Sequence, residues 1–138
     1  MPAVLDASGQ IVGRFSSAVA KRLLNGEEIV VVNAEKALIT GSKDWLMEEF
    51  HQRRDRGSQR KGPFYPRRPD RILHRTIRGM LPYQQPKGRA ALKRLRVYVD
   101  VPEGYRDQPL ERVAGADRVT TARYMTLEQI ARRLGGEF

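Results

Sequence analysis

The chain has no cysteine, which excludes disulfide bonds, thiol nucleophiles and zinc sites built on cysteine. It also has no run of about 18 apolar residues, which argues against a membrane-spanning helix. Residues 1–6 show no basic stretch followed by an apolar one, so we expect no secretory signal and a soluble, intracellular protein. Positive charge is in excess, with 26 Lys and Arg against 16 Asp and Glu and a formal net charge of +10. Such an excess indicates a polyanionic partner rather than a particular fold.

Acidic residues are scarce in the middle of the chain. Residues 51–99, called the basic segment below, hold fifteen Lys and Arg but only Asp55 and Asp70 as acids. A solvated surface is the ordinary fate of such residues, but ordinary surfaces mix both signs because like charges repel one another. The length of 138 residues predicts a single domain, residues 1–138. We therefore predict one domain whose basic segment binds a polyanion.

Hydrophobic periodicity predicts an α/β fold. A short apolar run at 4–6 predicts a strand, and apolar residues recurring every four positions from Ile11 predict a helix that stops at Asn25-Gly26. The continuous β-branched run at 29–32 is typical of a parallel strand covered on both faces. Strand, helix and strand in this order predict a parallel βαβ unit.

Further elements follow the same reasoning. A helix capped by Ser42 is expected, with Trp45, Leu46 and Phe50 on its apolar side. A strand is expected at 96–101 and an irregular surface loop at 102–118. Thr126 and Gln129 form a capping box in sequence for a last helix. The buried face of that helix is expected to hold Leu127, Ile130, Ala131 and Leu134.

Two arginine-rich stripes stand out in the basic segment. Residues 69–81 predict a helix that places Arg71, Arg75 and Arg78 on one edge, opposite an apolar face. The same i, i+4, i+7 spacing recurs in Arg89, Lys93 and Arg96. Three such cations span about 10 Å of helix axis, and guanidinium groups grip phosphate bidentately. Two ordinary amphipathic helices with wet faces are the alternative, but the absence of acids along 71–99 favours RNA binding.

The residues before the first stripe predict an extended loop over 57–69. Phe64 and Tyr65 lie among its arginines, where they either stack on unpaired bases or fix the loop to the core. The cations of the preceding helix end and of this loop are Arg53, Arg54, Arg56, Arg60, Lys61, Arg67 and Arg68. Gly57, Gly62 and Gly88 either allow backbone to approach a phosphate or serve only as turns.

Enzymatic alternatives find weaker support. The turn after the first strand has Gly9 and Gly13 but lacks the third glycine of a dinucleotide fingerprint, so Glu35 is more simply a polar strand end than a ribose ligand. His51 and His74 lie among arginines, which favour the neutral ring, and neither has a paired nucleophile or a metal-ligand spacing. We predict no catalytic or metal site. A nucleotide-dependent enzyme and a DNA-binding regulator remain the rival hypotheses.

Several short motifs resemble the large-subunit ribosomal protein L13 family. They are Asp6-Ala7-x-Gly9, Gly13-Arg14-x-x-Ser17, Val31-Val32-Asn33-Ala34-Glu35, Ile39-Thr40-Gly41, Arg78-Gly79-Met80-Leu81-Pro82, Gly88-Arg89-Ala90 and Leu95-x-Val97-Tyr98. The run Phe64–Pro69 and the early Asp6 resemble the archaeal and eukaryotic branch, and the short C-terminal part is most like the archaeal form.

This resemblance implies a non-enzymatic, cytoplasmic constituent of the large ribosomal subunit, supporting subunit assembly and translation without a cofactor or small-molecule substrate. Its partners would be large-subunit ribosomal RNA and neighbouring ribosomal proteins, and not a membrane. The fold implied is a three-layer α/β/α sandwich around a mainly parallel four-stranded sheet, with a basic loop-helix extension. The matched motifs place RNA contacts on Arg78, Lys87 and Arg89. Charge and helix phase extend the predicted RNA-binding set to Arg53, Arg54, Arg56, Arg60, Lys61, Arg67, Arg68, Arg71, Arg75, Arg78, Lys87, Arg89, Lys93 and Arg94.

Overall fold

The computed structural model describes residues 2–55, 65–117, 123–136 and 138. Its helices are α1 (Val12–Leu24), α2 (Lys43–Asp55), α3 (Pro69–Gly79), α4 (Pro86–Lys93) and α5 (Leu127–Arg133). Its strands are β1 (Ala3–Asp6), β2 (Ile29–Val32), β3 (Leu38–Thr40), β4 (Leu95–Val97) and β5 (Tyr124–Thr126). Short 3-10 helices occur at Ala34–Lys36 and Glu103–Tyr105.

A parallel three-stranded sheet in the order β1-β2-β4 organises the described chain. The central strand β2 is buried along its whole length, as its continuous apolar run predicts. The α/β class and the parallel βαβ unit are thus confirmed. The expectation of a four-stranded sheet is wrong, because β3 pairs antiparallel with β5 in a separate two-stranded sheet. An isolated bridge between Ile11 and Leu38 links β3 to the start of α1 instead.

Alternation along the strands produces two apolar clusters. Leu5, Ile29 and Val31 face the main core, which also contains buried residues of all five helices. The opposite face carries Val4, Val30 and Val32, and the residues that cover it are Tyr98, Val101 and Tyr105. Successive side chains of a strand point to opposite faces, so β1 and β2 each contribute residues to both clusters.

Helices α1 and α5 both form where the sequence predicts them. Helix α1 follows the predicted span and buries Phe15, Val19 and Leu23. At α5 the Thr126 hydroxyl accepts a hydrogen bond from Gln129 N at 3.2 Å, and the Gln129 side chain accepts one from Thr126 N at 3.1 Å. This reciprocal capping box satisfies two backbone donors that the first turn would otherwise leave unpaired. The four predicted apolar residues of α5 and its end are all buried.

Two local expectations are wrong. Trp45 is 58% exposed, because α2 turns Leu46, Met47 and Phe50 toward the core instead. The strand expected at 96–101 covers only Leu95–Val97. It stops because the chain bends away at Asp100, which adopts a left-handed φ of 59° and donates its N–H to Glu35 at 2.9 Å.

The remaining chain after β4 runs along the edge of the sheet. Residues 102–117 are irregular as predicted, apart from one 3-10 turn and a bridge from Glu111 to Leu5. Residue 118 of the predicted loop lies outside the described residues. Among the helices that the structure describes, none has the length and apolarity needed to cross a membrane.

Candidate nucleic-acid interface

Helix α3 carries the first cationic stripe. Its apolar face buries Ile72, Leu73 and Ile77 in the core, which turns the opposite edge outward. Arg71 on that edge is exposed, whereas Arg75 and Arg78 are half-buried. Pro69 occupies the first turn, where the missing N–H costs nothing. The predicted stripe therefore exists on a helix fixed by its own buried side.

Tyr65 lies between two arginines from different helices. The guanidinium of Arg75 is 4.5 Å from the Tyr65 ring centroid, and that of Arg53 is 5.8 Å away. Arg53 also lies 5.1 Å from the Phe50 ring and donates a hydrogen bond to the Tyr65 hydroxyl at 3.4 Å. Tyr65 in turn meets Phe50 edge to face, with ring centroids 6.0 Å apart. Of the two sequence interpretations, the structure supports Tyr65 as an anchor of the loop on the core.

A second aromatic ring supports the other end of α3. The guanidinium of Arg78 lies 5.0 Å from the ring centroid of Tyr83, which is 40% exposed. Sequence reasoning missed Tyr83. An aromatic residue directly after Pro82 and five residues after a stripe arginine was the signal that could have identified it. Tyr65 and Tyr83 thus each place an arginine of the α3 stripe against an aromatic ring.

Helix α4 adds three exposed cations, Lys87, Arg89 and Lys93. Arg89 donates to the carbonyl of Gln84 at 3.0 Å, which ties its side chain to the turn before the helix. Gly88 is buried there, and a Cβ at this position would overlap the backbone carbonyl of Pro82. Gly88 therefore serves close packing of α4 against the turn at Pro82–Tyr83, rather than approach to a phosphate. This packing fixes α4 relative to the end of α3.

The second stripe is only partly as predicted. Arg96 lies on strand β4 and not on a helix, because α4 ends at Lys93 and Leu95–Val97 pair with β2. The prediction that Arg96 lies on the same helix face as Arg89 and Lys93 is therefore wrong. Arg94 is half-buried, and its Nη2 donates to the carbonyl of Leu23 at 2.7 Å. The Leu23 carbonyl also accepts from Gly26 N at 3.1 Å, so Arg94 adds a second hydrogen bond at the end of α1 and links residues far apart in sequence.

Arg67 and Arg68 lie where the loop meets α3, and both are exposed. The backbone of Arg67 packs against Gly136 so closely that a Cβ there would overlap the Arg67 carbonyl. Arg68 pairs with Asp70 at 3.3 Å. Arg56, Arg60 and Lys61, together with Gly57, Gly62 and Phe64, lie outside the described residues, as does the predicted loop up to residue 64.

Some of these cations already have carboxylate partners. Arg53 pairs with Glu49 at 3.6 Å and Arg54 with Asp55 at 3.0 Å, and the hydrogen bond from Arg54 lowers the pKa of Asp55. From residue 71 to residue 96, by contrast, no lysine or arginine forms an ion pair with a carboxylate of the described chain. Exposed ion pairs such as those of Arg53 and Arg54 contribute little to stability. The stripe on α3 and the cations of α4 have no such pair, so their charge is available to a partner.

His74 lies on α3 beside this stripe. Burial lowers the pKa of its ring, and the positive charge of Arg78 lowers it further, whereas Asp70 acts in the opposite direction. The expectation of a neutral ring near arginines is confirmed in direction, with burial as the larger cause. The ring is half-buried, so it is a partly packed neighbour of the stripe.

The carboxyl ends of the parallel strands are occupied by a polar network of the protein itself. Asp6 accepts hydrogen bonds from Ser8 N at 2.9 Å and from Asn33 Nδ2 at 3.0 Å, and it pairs with Arg112 at 3.4 Å. Glu35 is buried and accepts the N–H of Asp100. A carboxylate therefore lies in the first βα turn, where a pyrophosphate would need free N–H groups. Among the described residues, no group of three His, Cys, Asp or Glu could hold a metal ion.

Comparison with known proteins agrees with this architecture. The family model for Ribosomal protein L13 matches residues 1–104. The Large ribosomal subunit protein uL13 of Archaeoglobus fulgidus is 53% identical over 135 residues, which are 96% of this chain and 86% of that protein. The proteins of the same name from Methanococcoides burtonii and Methanocaldococcus jannaschii are 49% and 47% identical and cover 98% of this chain, with 99% and 98% of their own lengths matched.

These relatives extend the similarity beyond the motifs, through β5 and α5, where sequence reasoning found nothing diagnostic. The resemblance, including its archaeal character, is confirmed. The chain belongs to the ribosomal protein L13 family.

Proposed function

We propose that this protein is a non-enzymatic constituent of the large ribosomal subunit that binds ribosomal RNA through its basic segment. The single domain of residues 1–138 serves as a rigid platform, and residues 51–99 face the RNA. Binding in this way supports assembly of the subunit and so translation. The partners are large-subunit ribosomal RNA and neighbouring ribosomal proteins, in the cytoplasm, and no cofactor or small substrate takes part.

The observation that carries this proposal is the unneutralised charge of α3 and α4. Arg71, Arg75, Arg78 and Arg89 face outward on helices whose other sides are packed, and the described chain offers them no carboxylate. Charge-assisted bonds from guanidinium to phosphate suit such an array. The relatives are named as proteins of the large ribosomal subunit, which favours RNA as the polyanionic partner.

Recognition should depend mainly on phosphate, sugar and shape. The major groove of duplex RNA is too narrow for side chains to read its base edges, whereas its backbone is accessible. The proposed RNA contacts are the whole predicted set, in which Arg53 and Arg75 both contact Tyr65. Three members of the set, Arg56, Arg60 and Lys61, lie outside the described residues. Arg94 contributes less, since one of its N–H groups already binds Leu23.

The test is the salt dependence of binding to deproteinised archaeal large-subunit ribosomal RNA. If about eight phosphates are engaged, log affinity should fall against log salt with a slope on the order of −6. The variant Arg71→Gln/Arg75→Gln/Arg78→Gln should flatten the slope by roughly 2, since each lost phosphate contact removes about 0.7. An unchanged slope would exclude the α3 stripe from the interface.

A matched control removes the same charge elsewhere. Lys21→Gln/Lys36→Gln/Arg106→Gln neutralises three exposed cations outside the basic segment. This control should keep a slope close to that of the unmodified protein. If both triple variants lose the same slope, binding follows net charge and not the basic segment. A preference for duplex DNA over ribosomal RNA at equal salt would instead favour a DNA-binding regulator.

A further inference from the structure

An apolar cleft lies beside the cationic stripe, between the start of α1, strand β3 and helix α2. Its volume is about 330 Å³, and its lining includes Val12, Leu38, Leu46 and Phe50. Trp45 also lines it and is 58% exposed. This volume is at the lower end of the range for small-ligand pockets, so it suits one planar ring system.

A second exposed aromatic residue stands next to this cleft. Thr40 lines the cleft, and Tyr124 lies directly opposite Thr40 in the β3–β5 pair. Residues paired across two antiparallel strands share one face of the sheet. Tyr124 is 49% exposed, so a second exposed ring lies on the strand that pairs with the cleft-lining strand β3.

The cleft is continuous with the cationic surface. Phe50 and Arg53 line the end of the cleft away from Trp45. Both also contact Tyr65, whose ring lies against the guanidinium of Arg75. Trp45, Glu49 and Arg53 recur every four residues along one side of α2, which separates Trp45 from Arg53 by about 12 Å of helix axis. A strand of nucleic acid with a phosphate near Arg53 can therefore bring a base of a nearby nucleotide to Trp45.

The chemistry of the cleft favours a base over a phosphate or a charged peptide. Its floor is apolar, and Arg53, the one cation among the described residues that line it, pairs with Glu49 at 3.6 Å. Unstacked bases in RNA loops are commonly bound by stacking on aromatic side chains, with little dependence on base identity. A base stacked on Trp45 would cover the aromatic residue with the largest exposed fraction among those that the structure describes.

We propose that this cleft binds one unstacked nucleobase of the ribosomal RNA, with Trp45 as the stacking platform. This inference rests on the proposed function, because the RNA backbone must first engage Arg53 and Arg75. The base contributes a non-ionic part of the binding energy, separate from the phosphate contacts of α3.

Trp45 is the only tryptophan of the chain, so its fluorescence reports on the cleft directly. The full-length protein is titrated with deproteinised archaeal large-subunit ribosomal RNA, while anisotropy of labelled RNA measures binding independently. We expect quenching of tryptophan emission that follows the binding curve. Trp45→Ala should weaken binding roughly tenfold, or about 1.4 kcal/mol, without changing the salt slope, since stacking of a base is a non-ionic contact that releases no counterion. Trp45→Phe, which keeps an aromatic face, should recover most of the affinity.

The control variant is Leu24→Ala, which removes a 45% exposed apolar side chain of α1 and should leave affinity unchanged. Steep salt-dependent binding with unaltered emission and an unaffected Trp45→Ala variant would overturn the base site while leaving the proposed function intact. Emission that changes only when large-subunit proteins are added would assign the cleft to a protein side chain and also overturn it. Absence of any RNA binding would instead overturn the proposed function itself.

Discussion

The guanidinium of Arg75 lies 4.5 Å from the ring centroid of Tyr65, and this contact holds the residues before α3 against that helix. Tyr65 also meets Arg53, so one ring orders two cations that are far apart in sequence. Cation–π contacts restrict the positions that a guanidinium group can adopt. The aromatic residues of the basic segment therefore organise its charge before RNA arrives, which lowers the entropy cost of binding.

Replacing Tyr65 tests this organising role. Tyr65→Leu should weaken RNA binding about two- to fivefold, because exposed cation–π contacts contribute about 0.5–1 kcal/mol. Tyr65→Phe keeps the ring and loses only the 3.4 Å hydrogen bond from Arg53, so it should bind nearly as the unmodified protein does. RNA affinity is measured by anisotropy, with thermal unfolding recorded beside it. Equal affinity for the leucine and phenylalanine variants would refute the role of the ring.

Two glycines provide a paired test of packing near the interface. Gly88→Ala should lower the free energy of unfolding by about 2 kcal/mol, since the new methyl group overlaps the Pro82 carbonyl. Gly79→Ala on α3 meets nothing within 4 Å and should raise it by about 0.5 kcal/mol. Urea unfolding of both variants gives the comparison. A neutral Gly88→Ala would mean that α4 does not pack on the turn as described.

The capping box of α5 is a separate test of the scaffold. Thr126→Ala removes the acceptor for Gln129 N and should lower the free energy of unfolding by about 1 kcal/mol. Thr126→Ser retains a hydroxyl and should lose much less. Guanidinium unfolding at pH 7 measures both, and equal losses would show that the methyl group, not the hydrogen bond, carries the effect.

His74 predicts a pH dependence of stability. Its pKa is lowered in the folded state by burial and by Arg78, so the unfolded chain binds a proton more readily. The stabilising contribution of the neutral ring is therefore complete above the unfolded pKa of about 6.5. It is lost as the pH falls from there through the lowered folded pKa. Urea unfolding between pH 8 and pH 5 should show a shallower loss for His74→Gln than for the unmodified protein, and parallel curves would contradict this.

Long periodic elements could be predicted from the sequence because their signals are local. Helix α1, strand β2 and the stripe on α3 follow from repeats within a dozen residues. Strands β3 and β5 were missed, because each has three residues and their pairing joins Leu38 to Thr126 across most of the chain. Such short strands carry little periodicity of their own.

The errors at single side chains have similar causes. Trp45 was placed on the apolar side of α2 with Leu46 and Phe50, yet Met47 takes the buried position. Arg96 continues the i, i+4, i+7 spacing of Arg89 and Lys93 in the sequence. The helix ends before Arg96, however, because β4 pairs with β2. The contact of Arg94 with Leu23 joins two distant segments and has no local signal.

The most direct measurement of the central claim is ultraviolet crosslinking of intact archaeal large subunits that contain this protein, followed by mapping of the peptides that carry nucleotide adducts. If the basic segment faces ribosomal RNA, adducts should concentrate on peptides from residues 51–99, and above all on those of α3 and α4. Adducts confined to residues 1–50 and 100–138 would contradict the account.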